Sequence, residues 1–333
     1  MIDLSRHIGI YRKIANTIPQ SPERRNTVEE KNLLFVYNPV SGKGLVLDAL
    51  AEVINIFTEN GFRVTVHPTQ KALDGHDDIA AHAASYDTLC IGGGDGMLNE
   101  TVSALLTLPP EDRPPIIYLP AGSTNDFAGS LGLPTDLIYA AKAGIGGEKT
   151  QLDAGDFNGK TFVYVAAFGA FTDVSYATPQ DFKNTFGHFA YVIQGILSLP
   201  TIREHHVKIT HGDTVIEGDF LYGMAANTLQ VGGVRFDRSM DISLSDGFLE
   251  VMLVKRPKTP AEVQMLVGAL VSQSFKCDNI ITFSADSVTF ESTEPIPWTL
   301  DGEYGGDTNI AHVANCPRCY TLLRPRALPE IED

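Results

Sequence analysis

From Asn32 onward the chain alternates short apolar runs with longer mixed stretches. Leu33–Tyr37, Phe62–Val66, Thr88–Ile91 and Ile116–Leu119 have the length of buried strands, and the segments near 45–59, 77–84 and 97–107 read as helices. Gly61 follows the first helix, where a glycine suits a left-handed C-cap. Strands alternating with helices predict a parallel sheet covered by helices on its faces. Past about Gly147 the texture changes. Short β-rich runs occur at 161–168, 206–210, 214–217, 219–226, 248–254, 280–284, 287–290 and 296–300, with helices at about 187–199 and 260–272. Asn158-Gly159 and His211-Gly212-Asp213 read as hairpin turns. Thr259-Pro260-Ala261-Glu262 reads as a capping box with proline at the first helical position. The second half is therefore expected to be an antiparallel sandwich or barrel, with the boundary near 145–150. Residues 1–31 are polar and mixed in charge, with a short helix expected around 5–17 and no evident chemistry.

Charge narrows the functions open to such a chain. The 333 residues carry 41 Asp+Glu against 25 Lys+Arg, a formal balance of −16. No basic stripe is available to replace phosphate counterions, which excludes non-specific nucleic-acid binding. The same surplus excludes anchoring on an anionic bilayer by charge alone. At 43% apolar and 20% charged residues the chain is neither disordered nor a coiled coil. No apolar run approaches the roughly 20 residues needed to span a bilayer, and the first residues lack a signal peptide's apolar stretch, so a cytoplasmic location is expected. Four cysteines make no disulfide framework. Cys90 and Cys277 read as reduced, buried thiols. Cys316-Pro317-Arg318-Cys319 has CxxC spacing, but only His312 stands near, so a turn with two free thiols is expected ahead of a zinc site.

Three loops carry the candidate chemistry: Asn38-Pro39-Val40-Ser41-Gly42-Lys43-Gly44, Gly92 to Glu100, and Pro120 to Asp126. Each follows an expected strand, at the edge where open α/β sheets bind ligands. A Walker A loop is excluded, because Tyr37 and Gly44 stand where glycine and Ser/Thr belong. A GxGxxG fingerprint from Gly92 is excluded by Met97. Consecutive glycines nevertheless let main-chain N–H groups approach phosphate oxygens, and a following helix adds its positive end. Asp95 within such a loop would repel phosphate unless a divalent cation bridges them, which implicates Mg²⁺.

The segments NPVSGKG (38–44), GGGDGMLNE (92–100) and PAGSTNDFA (120–128), followed by Ser243–Phe248 and Asp301-Gly302-Glu303, resemble in order and spacing the diacylglycerol kinase catalytic-domain family, which includes bacterial soluble lipid kinases and sphingosine and ceramide kinases and is related to NAD kinases. The resemblance covers roughly residues 33–325. It implies an N-terminal α/β domain (32–147) and a C-terminal β-sandwich domain (148–325), its end packing back on the first domain, with an extension at 1–31, a tail at 326–333 and ATP in the interdomain cleft. By family pattern Asn38, Pro39, Val40, Ser41, Gly42, Thr69, Gly93, Gly94, Asp95, Gly96, Met97, Leu98, Asn99 and Ser123 line the nucleotide. Glu303 corresponds to the proton acceptor, Asp301 to a supporting carboxylate, and Asp95 would handle Mg²⁺ directly or through water. Asp246, with the carbonyls of Ser243 and Phe248, corresponds to a structural Mg²⁺ site. Without the resemblance, Asp301-Gly302 and Asp246-Gly247 each read as an ordinary turn.

Two positions depart from the pattern: Met97 and Ser123 both stand where threonine is usual. The implied acceptor is a membrane lipid alcohol, diacylglycerol first, with a sphingoid base or NAD as alternatives. NPxSG and GSTND favour lipid over NAD kinases. A non-catalytic nucleotide-binding regulator is the other class, argued from Met97 and opposed by the retained acids. The apolar stretch Phe186–Leu199 reads from sequence alone as an ordinary buried helix, and the resemblance offers the alternative of a place near the mouth of a lipid site. Membrane contact is expected to be transient and peripheral, led by that stretch or by Lys183 and Arg203, and a homodimer is allowed.

Overall fold

The computed structural model describes residues 31–122, 125–169, 203–228, 230–231, 234–235, 243–272 and 275–326. The expected helices at 5–17 and 187–199, Lys183 and Ser123 lie outside the described residues.

The first half alternates β1 (Lys31–Tyr37), α1 (Leu45–Glu59), β2 (Phe62–Pro68), α2 (Asp74–His82), β3 (Thr88–Gly93), α3 (Asp95–Leu106), β4 (Ile116–Pro120), α4 (Asp126–Leu131) and α5 (Leu137–Ile145). The strands lie in the order β4-β3-β1-β2, and all pairs are parallel: Leu33 stands opposite Thr88, Lys31 opposite Phe62 and Leu89 opposite Ile116. Side chains alternate across a strand, so β1 feeds two cores. Leu33, Phe35 and Tyr37 pack with Val46, Phe57, Leu137 and Ala141 on one face. Leu34 and Val36 pack with Ile79, Leu98 and Val102 on the other. α1 turns Val46, Val53, Ile56 and Phe57 inward, a helical stripe, and stops at Gly61, which adopts the left-handed conformation (φ 84°) expected of it. The sequence pattern missed α4 and α5. Each is short and interrupted by Gly129 or Gly144, although Asp136 caps α5 by accepting from the Tyr139 amide at 2.7 Å.

The second half is built from strands: β5 (Glu148–Phe157), β6 (Lys160–Phe162), β7 (Val165–Gly169), β8 (His205–His211), β9 (Thr214–Ala226), β10 (Gln230–Val231), β11 (Val234–Arg235), β12 (Leu249–Lys255), β13 (Ile280–Ala285), β14 (Ser287–Leu300) and β15 (Glu303–Arg324), with helix α6 (Pro260–Ser272) between β12 and β13. The chain thus has an N-terminal α/β region and a C-terminal strand-rich region. Asn158 and Gly159, at φ 49° and 84°, make the β5–β6 turn, and Gly212, at φ 51°, lies in the β8–β9 turn. Glu262 donates its amide to Thr259 Oγ1 at the start of α6 while its carboxylate accepts from the Lys258 amide.

Two long strands were read from sequence as pairs of short ones. β9 pairs with β8 at one end and β7 at the other, and β14 does the same. The four strands therefore close around an aromatic core in which Trp298 lies 4.9 Å from Phe168 and 5.0 Å from Phe157 between ring centroids. β15, a strand the apolar pattern does not show, pairs with β14 and β5 and then reaches the first half, where Leu322 lies beside Ile116 of β4 in parallel register. Among the described residues, no helix is long and apolar enough to cross a membrane.

Candidate active site

The four parallel strands deliver their carboxyl ends, Tyr37, Pro68, Gly93 and Pro120, to one edge. The loops that follow are tied to one another. The Asn38 amide donates to Gly92 O at 2.9 Å, the Ala121 amide to Gly93 O at 2.8 Å, and the Thr69 amide to Tyr37 O at 2.9 Å. Ser41 Oγ reaches Ala121 O at 3.1 Å, and Asn38 Oδ1 accepts from the Val40 amide at 3.0 Å. Gly42 is left-handed, and a Cβ there would lie 2.2 Å from Ala121 O. Gly94 and Gly122 touch through their main chains: a Cβ on Gly122 would fall 2.5 Å from Gly94 Cα. Part of the glycine richness is therefore explained by loop-on-loop contact. Asn125, itself left-handed at φ 52°, closes the third loop, accepting from the Gly122 amide at 2.8 Å.

α3 starts from the second loop, and its first turns present different side chains in different directions. Met97 is 8% exposed and packs against Gly75 and Gly93, and Leu98 is buried in the core. Neither side chain lines an open face, so anything these two positions offer a ligand comes from their main chain. Asp95 turns toward α4, where Oδ2 accepts from the Asp126 amide at 3.1 Å and Oδ1 from the Phe127 amide at 3.4 Å. Burial raises its pKa to about 6, against those two amides and with help from the charges of Asp126 and Asp301. Gly96 and Asn99 face a cleft of about 770 Å³ between α2 and α3 on one side and the β5–β6 and β14–β15 turns on the other.

Asp301 and Glu303 reach this cleft from the β14–β15 turn, where Asp301 (φ 51°) and Gly302 (φ 84°) reverse the chain. Asp301 is buried and locked. Its Oδ1 accepts from the amides of Tyr164 (2.9 Å) and Val165 (3.0 Å), and its Oδ2 from the Val163 amide (2.6 Å) and Asn99 Nδ2 (2.8 Å). Burial raises its pKa, and the four donors work in the opposite sense. Glu303 is exposed, and its Oε1 lies 3.3 Å from where a Cβ on Gly96 would be. The turn thus sets one braced acid and one free acid over the first turn of α3.

The cleft gathers Gly96, Asn99, Asp301 and Glu303 from the residues singled out in the sequence. It also presents Leu73, His76, Lys160 and Tyr304, which sequence reasoning did not select. Lys160 follows the Asn158-Gly159 turn, and its Nζ donates to Gly305 O at 2.7 Å. That turn was legible; its distance from the Asp301 turn was not. Asp246 lies outside this lining. It is exposed and accepts through Oδ1 from the Phe248 amide at 3.0 Å, while Phe248 O accepts from Asn315 Nδ2 at 2.9 Å. Ser243 Oγ accepts from the Ser245 amide at 3.3 Å. Among the described residues no group of three or more His, Cys, Asp or Glu side chains is placed to hold a metal. Arg203, expected at a membrane contact, is paired with Glu294.

A family model of the diacylglycerol kinase catalytic domain matches residues 32–157. The chain is 33% identical to the diacylglycerol kinase of Bacillus subtilis over 279 residues, spanning 83% of this chain and 91% of that one. It is 34% identical to the diacylglycerol kinase of Staphylococcus carnosus over 278 residues, spanning 83% and 90%. A crystal structure from Bacillus anthracis str. Sterne shares the fold with a TM-score of 0.75 at 22% identity, covering 93% of this chain and 100% of that one. Together with the loops at the sheet edge and the acids that face them, these similarities define a kinase. The chain belongs to the diacylglycerol kinase family.

Proposed function

We propose that this kinase transfers the γ-phosphate of ATP to the hydroxyl of a membrane lipid, and that the lipid is diacylglycerol, giving phosphatidic acid. The observation that carries this reading is the position of Glu303: a free carboxylate held over Gly96, at the start of α3, by a turn whose neighbouring Asp301 is immobilised by four donors. Phosphoryl transfer asks for positioning, charge neutralisation and a group that takes the acceptor's proton. In this reading Glu303 takes that proton and Asp301 fixes where Glu303 stands. Asn38 to Gly42, Thr69, Gly93 to Asn99 and Ser123 contact the nucleotide, the main-chain amides of Asn38, Val40, Ser41, Thr69 and Leu98 being already bonded inside the loops.

Mg²⁺ supplies neutralisation of the polyphosphate when bound. The oxygen-only donors here suit that hard cation. Asp95 is one holder, its carboxylate buried and kept ready to release a proton near pH 6. A second set is Asp246 with the carbonyls of Ser243 and Phe248. The domain division is 32–147 and 148–325, with the catalytic cleft between the halves and the second half a β-sandwich, a description supported by the wrapping of β9 and β14 around one aromatic core. Contact with the bilayer is transient and peripheral, since the lipid hydroxyl must reach the cleft and the acidic protein gains little from anionic headgroups.

The test is transfer of radiolabel from ATP to diacylglycerol in mixed micelles, with Glu303→Gln as control. Lipid phosphate well above that control is expected. Labelling no greater than the control would overturn the reading.

A further inference from the structure

Three residues of β15 face one residue of β5. Cys316 pairs with Ala154 and Tyr320 with Leu152, so Pro317, Arg318 and Cys319 stand opposite Asp153 alone and bulge from the ladder. Arg318 takes a left-handed conformation (φ 50°), which turns the strand between Cys316 and Cys319, two positions close enough for their titrations to influence each other. The bulge is fastened on its inner side. The carboxylate of Asp153, wholly buried, accepts from the Arg318 amide at 2.7 Å through Oδ1 and from the Gly247 amide at 2.8 Å through Oδ2. Arg318 Nε donates to Ser245 O at 3.3 Å, and Arg113 Nη1 to Cys319 O at 2.8 Å.

The two thiols are unequal. Cys316 is partly exposed and Cys319 is 8% exposed behind it. The neighbouring Cys319 thiol, aided by the Arg113 charge, holds the Cys316 thiol down at about 7, while Cys316 and burial push Cys319 up. An accessible thiol that ionises near neutrality, with a second thiol sheltered against it, is the arrangement of an attacking and a resolving cysteine. A zinc reading lacks a third ligand among the described residues, and His312 is engaged with Thr289 Oγ1 at 3.0 Å.

We propose that Cys316 and Cys319 form a reversible dithiol–disulfide site whose state is passed through Asp153 to the Ser243–Phe248 turn. The oxidant is a low-molecular-weight disulfide, R–S–S–R. The Cys316 thiolate attacks one of its sulfurs, the S–S bond breaks, and one R–S⁻ leaves and takes up the proton that Cys316 released. The Cys319 thiol then loses its proton and attacks the Cys316 sulfur of the mixed disulfide. The second R–S⁻ departs with that proton, so two R–SH carry away the two electrons and two protons of the pair. A dithiol reductant reverses both steps. Joining the sulfurs tightens the bulge around Arg318. The Arg318 amide is bonded to one oxygen of Asp153 and the Gly247 amide to the other, so the turn carrying Ser243, Asp246 and Phe248 is displaced with it.

The experiment treats the folded, full-length protein with oxidised glutathione near neutral pH, then quenches, alkylates under denaturing conditions and maps the peptides by mass. A Cys316–Cys319 disulfide is expected, reversed by dithiothreitol, with Cys90 and Cys277 still alkylated. Cys319→Ser should stop at a glutathione adduct on Cys316, and Cys316→Ser should leave Cys319 unreacted. Thermal unfolding checks that both variants are folded; Cys316→Ala substitutes for Cys316→Ser and Cys319→Ala for Cys319→Ser where the serine variant is not. Hydrogen exchange of the Gly247 amide should accelerate on the order of fivefold or more in the oxidised form, because its bond to Asp153 is strained. Failure of the pair to close, or closure through Cys277 instead, would overturn the proposal. A disulfide that leaves exchange at Gly247 and Arg318 unchanged would overturn the transmission.

Discussion

Asn99 Nδ2 donates to Asp301 Oδ2 at 2.8 Å and to Thr161 O at 3.1 Å, so one amide of α3 pins both the β14–β15 turn and strand β6 of the strand-rich half. Asp301 in turn receives three main-chain amides. Its removal leaves all of these donors buried without an acceptor. Asp301→Ala is expected to lower stability by about 2–5 kcal/mol, whereas Asn99→Ala removes one donor and should cost about 1 kcal/mol. Urea unfolding of both single variants and the double variant measures this. The double variant should be less destabilised than the sum, because both changes break the same bond.

Glu303 bears no such structural duty. It is exposed, so Glu303→Gln should change stability by less than about 0.5 kcal/mol. Turnover should fall by roughly 100- to 10,000-fold if the carboxylate takes the acceptor proton. Steady-state kinetics alongside a melting curve separate the two, and loss of folding with loss of activity would remove the assigned role.

Asp95 makes stability depend on pH in a defined direction. Its folded pKa of about 6 lies above the roughly 3.9 of an unfolded aspartate. Between these values the folded state holds a proton that the unfolded chain has lost, so stability falls as pH rises from about 4 to about 6 and stays at its lower value above that. Asp95→Asn removes the cost of the buried charge. At pH near 8 it should gain about 1–2 kcal/mol over the wild type, and near pH 4 nothing, as read by denaturant unfolding at both pH values. The same variant should be impaired in ATP-dependent turnover.

Two glycines of the loops should respond oppositely to alanine. A Cβ at 122 would collide with the main chain of Gly94, so Gly122→Ala is expected to destabilise by about 1–3 kcal/mol. A Cβ at 96 meets only Glu303 Oε1, at 3.3 Å, and replaces a helical glycine. Gly96→Ala should therefore keep or raise stability by up to about 1 kcal/mol while lowering turnover by displacing Glu303. Melting curves and kinetics on the two variants test the contrast.

What could be read from sequence was what is local. α1, bounded by Gly61, and the four parallel strands follow from apolar runs and glycine caps. The three loops and the Asp301-Gly302-Glu303 turn were legible as motifs. Their relative placement was not, since Asn99 and Asp301 are 202 residues apart. β15 was invisible because Gly305, Gly306, Asn309, Asn315 and Pro317 break its apolar alternation; it is held by two neighbours instead of by its own propensity. Met97 looked like a change at the phosphates, yet its side chain fills the space between Gly75 and Gly93. Burial of that kind is decided by α2, which the motif alone does not contain.

The meeting of Leu322 with Ile116 also bears on how the chain is born. A ribosome delivers β4 long before it delivers the strand that completes the pairing beside it. Until Leu322 emerges, the nascent α/β half carries an open strand edge. Its protection during synthesis depends on how soon translation of the last strand follows.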